Sequence, residues 1–279
     1  MAGIEDQATL AGAQAEISLD ALRRFDAIFR AGAGVFSVAV LLIAWELFAR
    51  SGKVTPFMLP PFSVVAMRIY ADAMSGILWI NLGLTIARAL TGFFISAVGG
   101  ILLGVLMSRS KIAHWFFDPV ISVGFPMPKI AFLPIIILWL GVYDTAKISI
   151  VVFDAIFPVV TATLAGIASV DKVLLWSGRN MGASERQIMW QIVLPAALPQ
   201  ILTGLQVALP IALIVTIIAE MVMSGYGLGG AMMNASRYAN SPGVFAGIVE
   251  IAVVGYALIK LMALIRRRLL VWHQETAGR

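Results

Sequence analysis

The sequence contains no cysteine and few charged residues, and each absence excludes classes of protein. Among its 279 residues, the lack of cysteine excludes disulfide scaffolds and thiolate metal sites. Charged residues make up 13% of the chain and hydrophobic residues 60%, whereas a typical soluble domain is about 25% charged. We therefore expect an integral membrane protein. The net charge of +5 comes from basic residues at the ends of apolar runs, which indicates membrane topology and no nucleic-acid partner.

Motifs of nucleotide, metal and catalytic sites are missing as well. The absence of a G-x-x-x-x-G-K-[ST] segment argues against nucleotide hydrolysis by this chain. Residues 225–230, GYGLGG, fit a dinucleotide motif only formally, because they follow an apolar run instead of a strand, and we expect a flexible loop there. His114 and His273 stand apart without the spacing of metal ligands. We expect no metal and no cofactor on this chain, and no enzymatic activity.

Long apolar runs fill the rest of the chain and predict an all-α membrane protein with six spanning helices, because a helix needs about 20 apolar residues to cross a bilayer. The spanning domain covers residues 31–268 and includes a long loop at 168–200. Lysine and arginine cluster before the first span, in alternate loops and after the last, which predicts cytoplasmic termini. We expect the spans at about residues 31–49, 82–107, 119–142, 146–167, 201–223 and 244–265.

The two ends of the chain, residues 1–30 and 269–279, are expected to be cytoplasmic tails. The first tail has mixed charge and lacks an apolar core, so we expect no cleavable signal peptide. Its apolar residues share one helical face, which predicts a short helix lying on the membrane surface, with an ordinary solvated tail as the alternative. These residues are Leu19, Leu22, Phe25 and Phe29.

The long loop between the fourth and fifth spans has the capping residues of a folded hairpin. Ser169 or Asp171 can begin a first helix, and Gly182 suits the left-handed position that follows its end. Ser184 and Gln187 have the spacing of a capping box, which predicts the start of a second helix. We expect two short helices hinged at the glycine and projecting into the cytoplasm. A simple linker between spans is the alternative.

The same loop resembles the EAA motif in permease subunits of bacterial ATP-binding-cassette importers. The resemblance rests on Gly182, followed after nine residues by Ile192 and then by Leu194 and Pro195. The stretch MGASERQIMWQIVLPAALPQILTGLQVAL is similar to the nitrate/sulfonate/taurine branch in particular, as are FFDPVISVGFPMPKIAFLPIIILWLGVYDTAKI and AEMVMSGYGLGGAMMNA. The similarity covers roughly residues 82–265. One departure is that Trp176-Ser177-Gly178 stand where the family usually has Glu-Ala-Ala, so the motif glutamate is missing.

This resemblance implies the type I importer fold and the role of a membrane channel that works by alternating access. ATP and Mg would be bound by a separate cytoplasmic ATPase dimer. A periplasmic binding protein would deliver nitrate, a sulfonate, taurine or another organic acid. A second copy of the chain would complete a homodimer in the lipid bilayer of the bacterial inner membrane. The loop would be the coupling helix that docks on the ATPase, through Gly182, Ala183, Ser184, Glu185, Arg186, Ile188, Leu194 and Pro195.

Two functions from other classes remain as alternatives at this point. A secondary transporter would need no ATPase, and the capped hairpin argues against it. A membrane-embedded enzyme would need a polar catalytic cluster, and the sequence shows no paired histidine or carboxylate motif.

Charges and prolines inside the apolar runs indicate where a translocation path would lie. Prolines in the third span bend a helix, and irregular backbone at membrane depth is tolerated beside a cavity, although a packed kink is equally consistent. Charged groups are costly in lipid and by default face the interior. Arg88 is expected to extend outward or to pair with Asp154, for which Lys129 is the other candidate partner. The predicted path residues are Phe125, Met127, Lys129, Asp154 and Glu220.

Small residues also mark one possible packing surface in the second span. Gly100 and Gly104 have the spacing of a helix-packing motif, with chance occurrence as the alternative in so glycine-rich a chain.

Overall fold

The structure is a computed structural model that describes residues 36–270. The predicted surface helix of the N-terminal tail, His273 and nearly all of the C-terminal tail lie outside the described residues. Every regular element within the described range is helical, which confirms the all-α prediction for this part of the chain.

The chain divides into two compact units, residues 1–66 and 67–279. In the first unit, residues 36–50 form helix α1, which covers the described part of the first predicted span. The Glu46 carboxylate accepts hydrogen bonds from the Arg50 guanidinium at 2.6 Å and from the Ser63 backbone N–H at 3.0 Å. These contacts tie the end of α1 to the segment that follows it.

The second unit contains the other long helices, and α2 crosses the boundary between the units. The helices are α2 (Phe62–Met74), α3 (Ile77–Arg109), α4 (Lys111–Gly124), α5 (Leu133–Leu140), α6 (Asp144–Ala168), α7 (Lys172–Asn180), α8 (Glu185–Gln187), α9 (Leu194–Met223), α10 (Leu228–Arg237) and α11 (Ser241–Leu269). A 3-10 turn, Lys129–Phe132, precedes α5, and a π-helical segment, Ile188–Val193, joins α8 to α9.

Four helices of the described range are long and apolar enough to cross a membrane, namely α3, α6, the continuous helix Glu185–Met223, and α11. The third predicted span is a bent pair: Lys111–Gly124 and Lys129–Leu140 meet at 96°. This span was expected to begin at Pro119, but it begins at Lys111, because Ser110 caps the helix by accepting from the Ala113 N–H at 3.2 Å. The bend follows Pro126 and Pro128, which cannot donate backbone hydrogen bonds.

Helices α3 and α6 approach each other closely through glycine. A Cβ atom on Gly100 would lie 2.7 Å from Cβ of Val159, and one on Gly104 would lie 2.7 Å from Cβ of Thr163. Larger side chains would therefore force the two helices apart. The small-residue spacing in α3 is thus a packing surface, and it holds α3 against the central pair α6 and α9.

Candidate functional site

The hairpin between α6 and α9 begins with a capped helix. The Asp171 carboxylate accepts from the Val173 N–H at 2.8 Å and starts α7, which was one of the two predicted caps. The helix stops at Met181, and Gly182 follows with φ of 82°. Because a side chain is strained at this φ, glycine is the residue that lets the chain reverse here.

The second arm of the hairpin begins at the predicted capping box. Ser184 Oγ accepts from the Gln187 N–H at 3.3 Å, and the Gln187 side chain accepts from the Ser184 N–H at 2.8 Å. This arm was expected to be a second short helix, but it runs on without a break into α9 as Glu185–Met223. The hairpin therefore connects directly to a long apolar helix of the bundle.

A π turn lies where this arm enters α9. The Leu194 N–H donates to the carbonyl of Met189, five residues earlier, directly before Pro195. Proline lacks an N–H and its ring crowds the carbonyl four residues back, so a wider turn accommodates it. The Leu-Pro pair of the motif thus sets the geometry of the helix start and does not itself form the tip of the hairpin.

Ile188 was expected to be exposed on the hairpin, and this prediction is wrong. Ile188 is buried with Met189 and Val193 in a small core beneath the turn. Gly178 lies in the same region, where a Cβ would come within 2.6 Å of Ile192 Cδ1. Sequence spacing did not show this, because the small core also includes side chains of the first arm, of α3 and of α6.

The exposed surface of the hairpin carries several large apolar side chains among polar and charged ones. Its apolar side chains include Met181, which is 83% exposed, and Trp176, which occupies the place of the missing motif glutamate. Glu185 and Arg186 are exposed as expected, and Arg179 Nε lies 3.0 Å from Glu185 Oε1 across the turn. Apolar side chains projecting from a polar turn are typical of a surface that contacts another protein.

Four charged residues and one threonine lie together at the opposite end of α3, α6 and α9 from the hairpin, and we call them the distal cluster: Thr85, Arg88, Asp144, Lys147 and Glu220. Glu220 is fully buried and accepts from Arg88 Nη1 at 2.7 Å, Thr85 Oγ1 at 2.9 Å and the Gly229 N–H at 3.1 Å. Arg88 was expected to extend outward. It points inward instead, because Glu220 and Asp144, with distances of 2.7 Å and 2.8 Å, compensate its charge.

The distal cluster also fixes the segment between α9 and α10. Arg88 Nη1 donates to the Tyr226 carbonyl at 2.6 Å, and the Leu228 N–H donates to Thr85 Oγ1 at 2.9 Å. A Cβ at Gly227 would overlap the Glu220 carboxylate, so the glycine permits this close approach. The expected flexible loop is thus an anchored turn leading into α10.

A cavity of about 490 Å³ opens beside the distal cluster. Arg88, Asp144, Lys147 and Tyr226 are among its lining residues. The Lys147 ammonium is nearly enclosed and donates to the Ser224 carbonyl at 3.2 Å. Both cations of the cavity are therefore held inside the protein.

A second ion pair, Lys129 with Asp154, lies near the middle of α6, and we call it the mid-span pair. Lys129 Nζ lies 3.1 Å from Asp154 Oδ1 and donates to the Phe125 carbonyl at 2.8 Å. Nζ also lies 4.8 Å from the ring centroid of Phe157. Of the two candidate partners of Asp154, the structure selects Lys129. It does not bring the predicted path residue Glu220 to this pair.

Phe125 and Met127 lie at the break of the bent span, and Phe125 contacts Lys129 of the mid-span pair. Phe125 is exposed directly after α4, and Met127 is half-buried between the two prolines. Lys129 begins the 3-10 turn that follows the bend, and Asp154 lies on α6, 25 residues later (154 minus 129).

A larger cavity, of about 860 Å³, lies at the hairpin end of α3, α4 and α6. Its rim includes Arg109, Lys111, His114 and Trp115. Basic side chains and a tryptophan at one end of a helix bundle are typical of the cytoplasmic membrane surface.

Comparison with known proteins identifies the family to which this chain belongs. Residues 96–271 match the family described as binding-protein-dependent transport system inner membrane component. The chain is 32% identical to the taurine transport system permease protein TauC of Escherichia coli K12, over 86% of this chain and 89% of TauC. It is also 32% identical to the putative aliphatic sulfonates transport permease protein SsuC of Bacillus subtilis 168, over 98% and 99% of the two chains.

Solved structures show the same fold. The chain is similar to an inward-facing methionine transporter MetNI with a TM-score of 0.58, covering 71% of this chain and 98% of that one. An amino acid ABC transporter with histidines gives 0.59, covering 71% and 97%. At 18% and 20% identity these likenesses concern the fold, which is that of type I importer permeases. The family matches exclude the secondary transporter and the membrane enzyme, so this multi-pass inner membrane protein, with its separate ATPase and periplasmic binding protein, belongs to the permease family of binding-protein-dependent ATP-binding-cassette importers.

Proposed function

We propose that this permease forms the translocation path for a small organic solute that carries an anionic group, with sulfonates such as taurine as the first candidates. Nitrate and other organic acids are the alternatives. The observation that carries the proposal is that the taurine and aliphatic sulfonate permeases each align with at least 86% of this chain. Three enclosed cations, Arg88, Lys129 and Lys147, fit a cargo that carries an anionic group.

Uptake in a strain that lacks its own sulfonate importers tests the cargo. The permease is expressed with its cognate ATPase and binding protein, and growth on taurine or butanesulfonate as the sole sulfur source is measured. We expect growth that disappears when the ATPase carries an inactivating substitution. A formylaminopyrimidine permease of Halalkalibacterium halodurans is 31% identical over 240 residues. Uptake of such a pyrimidine without any uptake of organic anions would overturn the proposed cargo.

We also propose that the hairpin is the coupling element that docks on the ATPase. Gly182, Ala183 and Ser184 form its turn, and Glu185 and Arg186 are presented to the partner. Ile188 would support the turn from beneath, and Leu194-Pro195 would transmit its movement through the π turn into α9. Because the second arm is continuous with α9, displacement of the hairpin would move a helix that packs against both α3 and α6.

Single cysteines test this assignment directly, because the natural chain has none. Met181→Cys places a thiol at the tip of the hairpin, and Tyr238→Cys is a matched control that is 85% exposed at the other end of the bundle. We expect Met181→Cys, but not Tyr238→Cys, to crosslink to cysteines introduced in the ATPase. Crosslinking of the control alone would refute the assignment.

The same two variants test the proposed orientation, with both termini and the hairpin in the cytoplasm. The basic rim of the larger cavity, near the hairpin, supports this orientation. A membrane-impermeant maleimide added to spheroplasts should label Tyr238→Cys and leave Met181→Cys unlabelled until the membrane is opened. The reverse pattern would invert the topology.

The assembly that we propose contains two copies of this chain and two ATPases, which bind ATP and Mg. The binding protein would dock at the end that carries the distal cluster. One hairpin per chain supports this stoichiometry, because two ATPases need two docking elements. The mass of the purified complex tests it, and a mass that fits one copy with a different permease would exclude the homodimer.

A further inference from the structure

The two side chains of the mid-span pair are exposed to different extents. The Lys129 side chain is 7% exposed, whereas that of Asp154 is 19% exposed. The lysine ammonium donates to the Phe125 carbonyl and lies over the Phe157 ring, so the Asp154 carboxylate is the more accessible member of the pair. An incoming solute would therefore meet Asp154 before it met Lys129.

The distal cluster repeats this arrangement on the same helix. Arg88 is enclosed, and its partner Asp144 is 57% exposed. Asp144 and Asp154 are ten residues apart on α6, which is about 15 Å along a helix, or half of the roughly 30 Å hydrocarbon core. Helix α6 therefore carries two accessible carboxylates at different depths, and each covers a cation from another segment.

Arg88 and Lys129 differ in the partners that each would keep if its accessible carboxylate moved away. Arg88 would keep the fully buried Glu220. Among residues 36–270, Lys129 has Asp154 as its ion-pair partner and would keep only a carbonyl and aromatic ring faces. An uncompensated cation at membrane depth is costly, so an anionic partner beside Lys129 is strongly favoured.

We propose that Lys129 is the anion-recognition residue of the translocation path and that Asp154 is its exchangeable counter-ion, displaced by the sulfonate or carboxylate group of the cargo. The Lys129 ammonium keeps one anionic partner during the exchange, and the displaced Asp154 carboxylate, which is the more exposed member of the pair, stays in the path with its own charge. Sulfonate and carboxylate oxygens accept charge-assisted hydrogen bonds as the Asp154 carboxylate does. When the cargo leaves, Asp154 returns and no bare lysine is exposed to lipid. This inference rests on the proposed function, whose cargo carries an anionic group.

Binding of labelled solute to the purified permease–ATPase complex in nanodiscs tests the exchange. Equilibrium dialysis is performed with taurine and butanesulfonate, and with butanesulfonamide as an uncharged analogue. The variants are Asp154→Asn and the doubly neutral Lys129→Gln/Asp154→Asn, which leaves no unpaired charge and so should still fold. Asp144→Asn is the matched control, because it removes an accessible α6 carboxylate whose cation keeps Glu220.

We expect Asp154→Asn to bind sulfonates about tenfold more tightly, because a carboxylate that occupies Lys129 about nine-tenths of the time reduces the apparent affinity by that factor. The double variant should lose sulfonate binding, and Asp144→Asn should bind as the unsubstituted protein does. Butanesulfonamide binding should be the same in all four proteins. Retention of the ATPase during purification confirms that each variant is folded.

Unchanged sulfonate affinity in Asp154→Asn, or sulfonate binding by the double variant, would overturn the inference. In either case growth on taurine or butanesulfonate with the unsubstituted permease would leave the proposed cargo standing. Absence of organic-anion uptake by the unsubstituted permease would instead overturn the proposed cargo, and the inference with it.

Discussion

The distal cluster and the mid-span pair both enclose a cation, but they stabilise it in different ways. Arg88 lies between a fully buried carboxylate, Glu220, and an exposed one, Asp144. Lys129 depends on one half-buried carboxylate, Asp154. The distal cluster is therefore a structural joint, because Arg88 keeps Glu220 if Asp144 is removed. Lys129 has no second carboxylate partner among the described residues. Similar ion pairs can thus fix a fold at one depth and remain available for exchange at another.

The largest effect is expected from Arg88→Ala, which leaves Glu220 buried without its cation. Removing one partner of a buried pair costs about 3–5 kcal/mol. The free energy of unfolding in mixed micelles should fall by this amount. Because Arg88 also holds the Tyr226 carbonyl, proteolysis between α9 and α10 should accelerate. Unchanged stability would show that the joint is not structural.

A smaller loss is expected from Lys129→Gln, because Asp154 retains some access to water. We expect about 2–3 kcal/mol, short of the cost of a fully buried pair. Adding Asp154→Asn should restore most of it, since no charge then remains unpaired. If the double variant is less stable than Lys129→Gln, the mid-span pair is a structural joint, and the view that its carboxylate is exchangeable is wrong.

Thr85→Val tests the uncharged part of the distal cluster. The substitution removes the hydroxyl that donates to Glu220 and accepts from the Leu228 N–H, with little change in volume. Leaving buried polar groups without partners should cost about 1–2 kcal/mol. Thr85→Ser, which keeps the hydroxyl, is the control. Equal stability of the two variants would exclude a role for this hydroxyl.

The smallest effect is expected from Asp144→Asn, because its carboxylate is largely exposed and Arg88 keeps Glu220. Exposed ion pairs contribute less than about 1 kcal/mol. The unfolding free energy should therefore stay close to that of the unsubstituted protein. A loss as large as that of Arg88→Ala would mean that Arg88 needs both Asp144 and Glu220. The exposed carboxylate would then be as essential to the distal cluster as the buried one.

The hairpin and the spans could be predicted because their signals are local. Asp171, Gly182, Ser184 and Gln187 act on backbone groups within a few residues of themselves. The lengths of apolar runs likewise determine which segments can cross a bilayer. The caps of the hairpin and the α3, α6, α9 and α11 spans are confirmed, with helix ends shifted by several residues, and the third span is a bent pair. The second arm is continuous with α9 instead of a separate short helix, and the first of the six predicted spans lies partly outside the described residues.

The partners of buried side chains could not be predicted in the same way, because packing decides them. Arg88 and Glu220 are 132 residues apart, and the close approach of α3, α6 and α9 is what brings them together. Ile188 is buried in a small core to which the first arm of the hairpin, α3 and α6 all contribute side chains. By itself, therefore, the sequence determined an all-α membrane bundle with a capped loop. Only the tertiary structure decided which charges meet, because the free energy of a buried ion depends on the groups that the fold places around it.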